Sequence, residues 1–213
     1  MNDTAGDKNY TGKKAIDFTY GLVDNANKRL LENHKMKLPA GNKTPRLDPR
    51  YQYVIVGKKE EPEDKGIYFH QDDKLYYFLN KGKDRNNYKR TVIDKYAIRL
   101  DSVLNVFVMP HHPDSVKSKN YNVSNTGIAL GHAIKIAGLY EKGHPFWEYA
   151  TLLNHEVGHA MGLSHTWNSN DGCDDTPINE NCFTRTNEAP CNGPVSNNPV
   201  SYTHLTLPTT PYV

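Results

Sequence analysis

One short run of the sequence, residues 155–165, combines three histidines with a glutamate and reads HEVGHAMGLSH. His155 and His159 are four residues apart, so on a helix they lie on one face and can bind the same metal ion. Neutral imidazole nitrogens suit zinc, with bonds of about 2.0–2.1 Å. Glu156 follows the first ligand, where its carboxylate can reach a metal-bound water without binding the metal. The spacing predicts a metal centre that can carry out hydrolysis.

Gly162 explains how His165 can become the third ligand. A helix that continued past His159 would carry His165 away from the ion. Glycine readily adopts the left-handed conformation that ends a helix, so Gly162 can turn the chain back. Three histidines leave a fourth position for water, as in catalytic zinc sites. We therefore expect a zinc-activated water, with a pKa of about 7, that gives its proton to Glu156 and attacks a peptide carbonyl.

A chance match is the alternative to this metal centre. A histidine pair with an adjacent glutamate recurs on surface helices, but five fixed positions lower the chance expectation to the order of one in 10^5 for a chain of this length. A helix that ends at a glycine is the context that the motif requires. A purely structural zinc site has no need of Glu156, so this residue favours catalysis.

The rest of the sequence predicts the elements that position the motif. Apolar residues recur every three or four positions over residues 14–35, which predicts a helix with Ile16, Tyr20, Val23, Ala26 and Leu30 on its apolar face. Strands are predicted at 51–56, at 67–69 and 75–79 as a hairpin, at 103–109 as a buried central strand, and at 127–130 and 134–140. Further helices are predicted at 87–99 and 146–161, and a polar loop at 115–125. This order indicates the α+β class, with helices on one side of a sheet.

Composition excludes two classes of partner. The 213 residues include 26 basic and 24 acidic side chains, for a formal net charge of +2, whereas a nucleic-acid-binding protein usually has a clustered basic excess. No apolar run reaches the length that crosses a bilayer. We expect neither a nucleic-acid partner nor a membrane span.

The motif and the residues that follow it, HTW at 165–167 and DGCDDTP at 171–177, resemble the metzincin zinc peptidases and, among them, the pappalysin/cytophagalysin family. The resemblance is specific over about residues 103–198. It implies a metzincin-like catalytic domain with a mixed twisted sheet, a backing helix and the active-site helix in an upper subdomain, residues 1–165. A cysteine-containing lower subdomain would begin at residues 166–198. Members of this family are typically secreted endopeptidases, so the implied partner is a protein or peptide substrate.

The resemblance also implies roles for residues outside the motif. One strand would be the sheet edge that pairs with extended substrate. Its residues are Gly127, Ile128, Ala129 and Leu130. Asp174, Asp175 and Thr176 would bind calcium, and an Asp-rich turn is the alternative.

The three cysteines lie close together, which indicates a local disulfide or metal framework. The resemblance implies that Cys173 pairs with Cys191 and that Cys182 pairs with a cysteine of the missing lower subdomain, although sequence alone leaves the connectivity open. Clustered cysteines and the family's habit both imply a secreted or cell-surface protein. We therefore expect a signal peptide upstream of Met1.

The Met-turn of metzincins is not found in the sequence. In this family it typically follows an Asn-Asn pair, and after Asn197 and Asn198 the sequence changes character. Residues 200–209, VSYTHLTLPT, match the translation of the mosaic-end adapter of transposase-made sequencing libraries. We therefore expect residues 199–213 to be a non-native tail and the lower subdomain to be truncated. A genuine β-prone tail is the alternative.

Three functions are compatible with these observations. The first is a secreted zinc-dependent endopeptidase with Glu156 as the general base. The second is a non-catalytic zinc-containing adhesion or binding module, and the third is an inactive fragment of such a peptidase. His111 and His112 flank a Pro-Asp loop, where solvent exposure is expected and a second metal site is the alternative.

Overall fold

A three-stranded mixed sheet lies at the centre of the structure, a computed structural model that describes residues 1–4, 10–32, 49–61, 63–117, 126–138 and 146–165. The strands are β1 (Asn105–Met109), β2 (Thr126–Ala129) and β3 (Ala133–Ala137). Their order is β1-β3-β2, with β1 parallel and β2 antiparallel to β3. The sheet is thus mixed, as expected.

Four helices accompany the sheet in the described part of the chain. They are α1 (Gly12–Glu32), α2 (Thr91–Tyr96), α3 (Pro113–Lys117) and α4 (Ala150–Ala160), and a 3-10 turn (Phe146–Glu148) precedes α4. Helices together with a mixed sheet agree with the predicted α+β class. None of these helices is both long enough and apolar enough to pass through a bilayer.

Helices α1 and α4 pack on one face of the sheet. This core contains Ile134 and Ile136 from β3 and Tyr149, which directly precedes α4. Its members from the two helices are Phe18, Leu22, Ala26, Ala150, Leu153 and Val157. Fully burying a large apolar side chain stabilises the fold by about 1.5–3 kcal/mol. The site helix α4 is therefore held in place by the sheet and by α1.

The other face of the sheet is covered by α2 and by irregular chain. Its core consists of Phe78, Val92, Ile93, Phe107, Met109, Ala133 and Ala137. Lys135 also points to this face and is 2 % exposed. Its ammonium donates to the carbonyls of Asn86 and Lys89, both at 2.8 Å. The expectation of helices on one side alone is therefore wrong, because α2 packs on the opposite face.

The apolar face predicted for the first helix is partly wrong. The helix forms, but its buried residues are Ala15, Phe18, Leu22, Ala26 and Leu30. Tyr20 is 44 % exposed. Two overlapping apolar stripes are present in this sequence, and the position of α4 and the sheet decides which stripe is buried.

Three strand predictions are also wrong. Residues 51–56 form no strand and have no ladder partner among the described residues. Instead, the amide of Asn27 exchanges two hydrogen bonds with the backbone of Tyr53, at 2.7 and 2.9 Å. No hairpin joins 67–69 to 75–79, because Asp72 caps a turn there and Phe78 bridges to His111. The predicted central strand at 103–109 is β1, which lies at an edge of the described sheet, and β3 is central.

The predicted helix at 87–99 is reduced to α2. The chain leaves the helix at Ala97, which is extended at φ −69° and ψ 146°. The side chain of Asn105 then exchanges hydrogen bonds with the backbone of Ile98, at 2.9 and 3.0 Å. These bonds satisfy the backbone just after the helix end, so the helix stops before residue 98. Residues 115–117 of the predicted polar loop belong instead to α3.

Candidate metal centre

The helix α4 presents one face to the core and another to the metal centre. The amide of Asn154 lies between these faces and donates to the Ala26 carbonyl of α1 at 3.2 Å. The hydroxyl of Tyr149, just before α4, donates to the Gly138 carbonyl at the end of β3 at 3.0 Å. Both groups are buried, so breaking either bond would leave a polar group without water. These bonds fix the position of α4, and with it that of His155 and His159.

The end of α4 is built as a Schellman motif around Gly162. This residue has φ +95°, in the region that favours glycine. The amide of Gly162 donates to the His159 carbonyl at 3.0 Å, and the amide of Leu163 donates to the Gly158 carbonyl at 3.0 Å. These are the two bonds that define the motif. The prediction that Gly162 ends the helix and turns the chain is confirmed, and His165 returns to α4 as expected.

The ring nitrogens of the three histidines form a nearly equilateral triangle. The Nε2 atom of His159 lies 3.2 Å from that of His155 and 3.1 Å from that of His165, and the third side is 3.3 Å. Two nitrogens bound to one tetrahedral zinc ion at about 2.0–2.1 Å lie about 3.3–3.4 Å apart. The triangle therefore matches the ligand spacing of a tetrahedral metal to within a few tenths of an ångström. These three residues can hold a metal ion.

The ring nitrogens of the triad that face one another are in the form that binds a metal ion. The Nδ1 atom of His159 lies 2.8 Å from the Leu163 carbonyl oxygen, which only accepts, so Nδ1 carries the hydrogen and Nε2 keeps its lone pair. Burial lowers the pKa of His159. Burial and the neighbouring His159 lower the pKa of His165 to about 4. Both rings are therefore neutral at pH 7, the form that binds metals.

Glu156 lies beside the triad in sequence but outside its ligand set. Among the described residues, the group of potential ligand atoms within 4.8 Å of one another contains the three histidines and no carboxylate. Glu156 is 5 % exposed. Burial raises its pKa to about 7, against a hydrogen bond from the Ala129 amide that lowers it. A cation held by the histidines would also favour the ionised form. This carboxyl group lies outside the group of potential metal ligands and, with a pKa of about 7, can take up or release a proton near neutral pH.

The strand β2 supplies the contact that holds Glu156. In the described sheet β2 pairs with β3 alone, so its other edge has no strand partner among the described residues. The Leu130 amide donates to the Ala133 carbonyl at 2.8 Å. In an antiparallel pair, alternate residues bond to the partner strand and the residues between them face away from it. Because Leu130 bonds to β3, the amide and carbonyl groups of Gly127 and Ala129 face away from β3. The Ala129 amide that reaches Glu156 is one of these outward groups.

The structure gathers some of the predicted site residues and not others. It brings together the triad, Glu156 and the predicted edge strand, of which Thr126–Ala129 form β2 and Leu130 follows it. Four of the remaining predictions lie outside the described residues. They are the calcium ligands Asp174, Asp175 and Thr176, the disulfide Cys173–Cys191, the lower subdomain and the tail.

The expectation for the histidine pair at 111–112 is wrong for one member. His111 is buried, at 3 % exposure, with its ring 6.3 Å from that of Phe78. It lies where the chain leaves β1, so its burial follows from the bridge to Phe78. His112 contacts the ring of Tyr77 at 4.6 Å. No second group of metal ligands is found within the described ranges.

Three contacts of the site were not predicted from the sequence. They are the Leu163 carbonyl at His159, the Asn154 amide at α1 and the Ala129 amide at Glu156. The first has a local signal, since a Schellman end at Gly162 fixes where the Leu163 backbone lies. The other two contacts join elements that are distant in sequence, and no local sequence pattern predicts them.

Comparison of the chain with protein-family models, with curated proteins and with solved structures gave no match. The function is therefore inferred from the residues and geometry of the site.

Proposed function

We propose that this protein is a zinc-dependent endopeptidase in which His155, His159 and His165 bind zinc and Glu156 is the general base. The observation that carries the proposal is the triangle of Nε2 atoms 3.1–3.3 Å apart, next in sequence to a buried carboxyl group that lies outside the ligand set. A structural metal site needs no such acid.

Zinc is the metal that the donor set favours. Three neutral imidazoles suit zinc, copper, nickel or iron, whereas calcium and magnesium prefer oxygen ligands. The near-tetrahedral spacing of the nitrogens supports zinc, which is usually tetrahedral in proteins, over metals that prefer square sites. A zinc ion bound there supplies a Lewis acid that activates water and polarises a carbonyl. Three protein ligands leave room for both.

Glu156 is suited to the proton transfer that peptide hydrolysis requires. A general base works best when its pKa lies near the working pH, and burial moves that of Glu156 upwards towards neutrality. The Ala129 amide fixes the carboxyl group, so less of its freedom is lost when substrate binds. In the proposed reaction, a Glu156 oxygen takes the proton of the attacking water and then delivers it to the departing amine.

The edge of β2 that faces away from β3, which has no strand partner in the described part of the chain, supports a peptide as the substrate. The outward backbone groups of this strand other than the Ala129 amide, which donates to Glu156, can pair with an extended chain that adds one strand to the sheet. Such pairing recognises backbone and needs no particular side chain. The sequence motif also resembles the pappalysin/cytophagalysin metzincins. We propose that family and a secreted or cell-surface location together with the endopeptidase activity.

The test compares metal content and peptide cleavage in the wild-type chain and in Glu156→Gln. Zinc is measured by mass spectrometry of the purified protein, and cleavage with a mixture of fluorescence-quenched peptides and with denatured casein. We expect one zinc per chain in both proteins, cleavage by the wild type that stops on chelation and returns with zinc, and a loss of about 100-fold or more in Glu156→Gln. Glu63→Gln removes an exposed carboxylate and should match the wild type.

Two results would contradict the proposal. Cleavage that survives in Glu156→Gln would exclude Glu156 as the base. One bound zinc with no cleavage of any peptide by the wild type would favour the non-catalytic binding module or the inactive fragment.

A further inference from the structure

The backbone of β2 carries a glycine where the fold itself does not require one. Gly127 pairs with Ile136 in the middle of the β2–β3 ladder. Its φ lies outside the left-handed region that only glycine enters readily. A glycine inside a strand weakens it and often marks a close approach by another group. The reason for glycine here is therefore space and not backbone conformation.

The group that occupies this space is the side chain of Glu156. A Cβ atom built on Gly127 would lie 2.6 Å from Cγ, 2.7 Å from Oε1 and 2.8 Å from Cδ of Glu156. A Cβ atom does not sit this close to other heavy atoms, so a side chain at position 127 would displace the Glu156 carboxyl group, which is the end of a flexible side chain and is free to move more easily than backbone. A Cβ on Gly127 would point towards α4. Side chains of directly paired residues in an antiparallel ladder lie on the same face of the sheet, and the partner Ile136 lies in the core beneath α4.

Ala129, two residues along the same strand, shows the contrast. It lies on the same side of the sheet as Gly127 and packs its methyl group against the α1–α4 core. Its amide donates to Glu156. One residue thus leaves the space for the carboxyl group and the other holds the group there.

We propose that Gly127 is a positioning residue: its missing side chain is the space that lets the Glu156 carboxyl group rest on the Ala129 amide. The consequence for catalysis rests on the proposed function, whereas the steric coupling between positions 127 and 156 does not. The inference therefore has one test in stability and one in activity.

The first test is a double-mutant cycle in thermal stability with Gly127→Ala and Glu156→Ala. Glu156→Ala removes all three atoms that the new methyl group would meet. We expect Gly127→Ala to lower the melting temperature by about 1–6 °C in the wild-type background, because the displaced carboxyl group loses the Ala129 amide, and by less than about 1 °C in the Glu156→Ala background. Equal losses in the two backgrounds would overturn the inference, whether or not the protein is a peptidase.

The second test measures kcat, KM and zinc affinity of Gly127→Ala. We expect kcat to fall about 100-fold, as for a misplacement of about 1 Å, with KM and the zinc dissociation constant within about threefold of wild type. Gly21→Ala is the matched control, because its Cβ would lie 2.8 Å from the Phe146 ring and its three nearest atoms all belong to that ring, so the clash is as close but does not involve Glu156. This control should lose stability and keep kcat within about twofold.

The outcomes separate the two ideas. A normal kcat in Gly127→Ala, or an equal loss in Gly21→Ala, would overturn the positioning role. No cleavage by the wild type would overturn the proposed function, and the stability cycle would still decide whether residue 127 leaves space for Glu156.

Discussion

Replacing Gly162 by alanine should weaken zinc binding through the backbone alone. Gly162 has φ +95°, and a Cβ added there would meet no atom within 4 Å. The substitution therefore brings no clash, and its cost is the strain of a left-handed residue with a side chain, about 1–2 kcal/mol. The metal-free chain can relax this strain by loosening the end of α4. The zinc-bound chain cannot, because His159 and His165 must stay 3.1 Å apart at Nε2.

The strain should therefore appear mainly as lost affinity. An energy of about 1–2 kcal/mol corresponds to a zinc dissociation constant about 5–30-fold higher. The assay is competition for zinc with a chromophoric chelator at pH 7.5. Gly162→Asn should lose less than Gly162→Ala, because asparagine tolerates positive φ better than alanine does.

Gly82→Ala is the matched control for this prediction. Gly82 has φ +87° and also has open space around its Cβ position, but it lies in a turn outside α4. It should show the same backbone strain with no change in zinc affinity. Wild-type affinity in Gly162→Ala, or an equal loss in Gly82→Ala, would refute the conclusion that the helix end sets the third ligand.

Two further predictions concern stability away from the metal centre. Asp72 accepts hydrogen bonds from Lys95 Nζ at 2.7 Å and Tyr96 Oη at 2.8 Å, and these hold its pKa well below the usual range. These interactions stabilise the fold fully above the unfolded pKa of about 3.9, and the stabilisation is lost as the pH falls towards the folded pKa. Asp72→Asn should therefore lower the free energy of unfolding in urea by about 1–3 kcal/mol at pH 7 and by less at pH 2.5. An equal loss at both pH values would contradict this prediction. Burial lowers the pKa of Lys135 to about 8, below the unfolded value of about 10.4. Between these two pKa values Lys135 is protonated mainly in the unfolded chain. The free energy of unfolding should therefore rise more steeply from pH 8 to 10 in the wild type than in Lys135→Met. Parallel curves for the two proteins would show that Lys135 does not titrate in this range.

The sequence alone determined the parts of the site that depend on local spacing. Residues four apart on a helix share a face whatever the rest of the fold does, so His155 and His159 were predictable as a pair. Gly162 was readable as a helix end because few other residues adopt positive φ readily. The strands β2 and β3 were also located, since short β-branched runs between glycines leave few other choices.

Only the tertiary structure decided the contacts between distant elements. Which stripe of α1 is buried depends on where α4 packs, and Phe18 rather than Tyr20 entered the core. Residues 51–56 have good strand propensity, but a strand needs a partner, and the amide of Asn27 took the backbone of Tyr53 instead. The space for the Glu156 carboxyl group depends on Gly127, 29 positions earlier in the sequence. No local pattern records such a pairing, because the register of β2 against β3 and the packing of α4 must both be set before Gly127 and Glu156 meet.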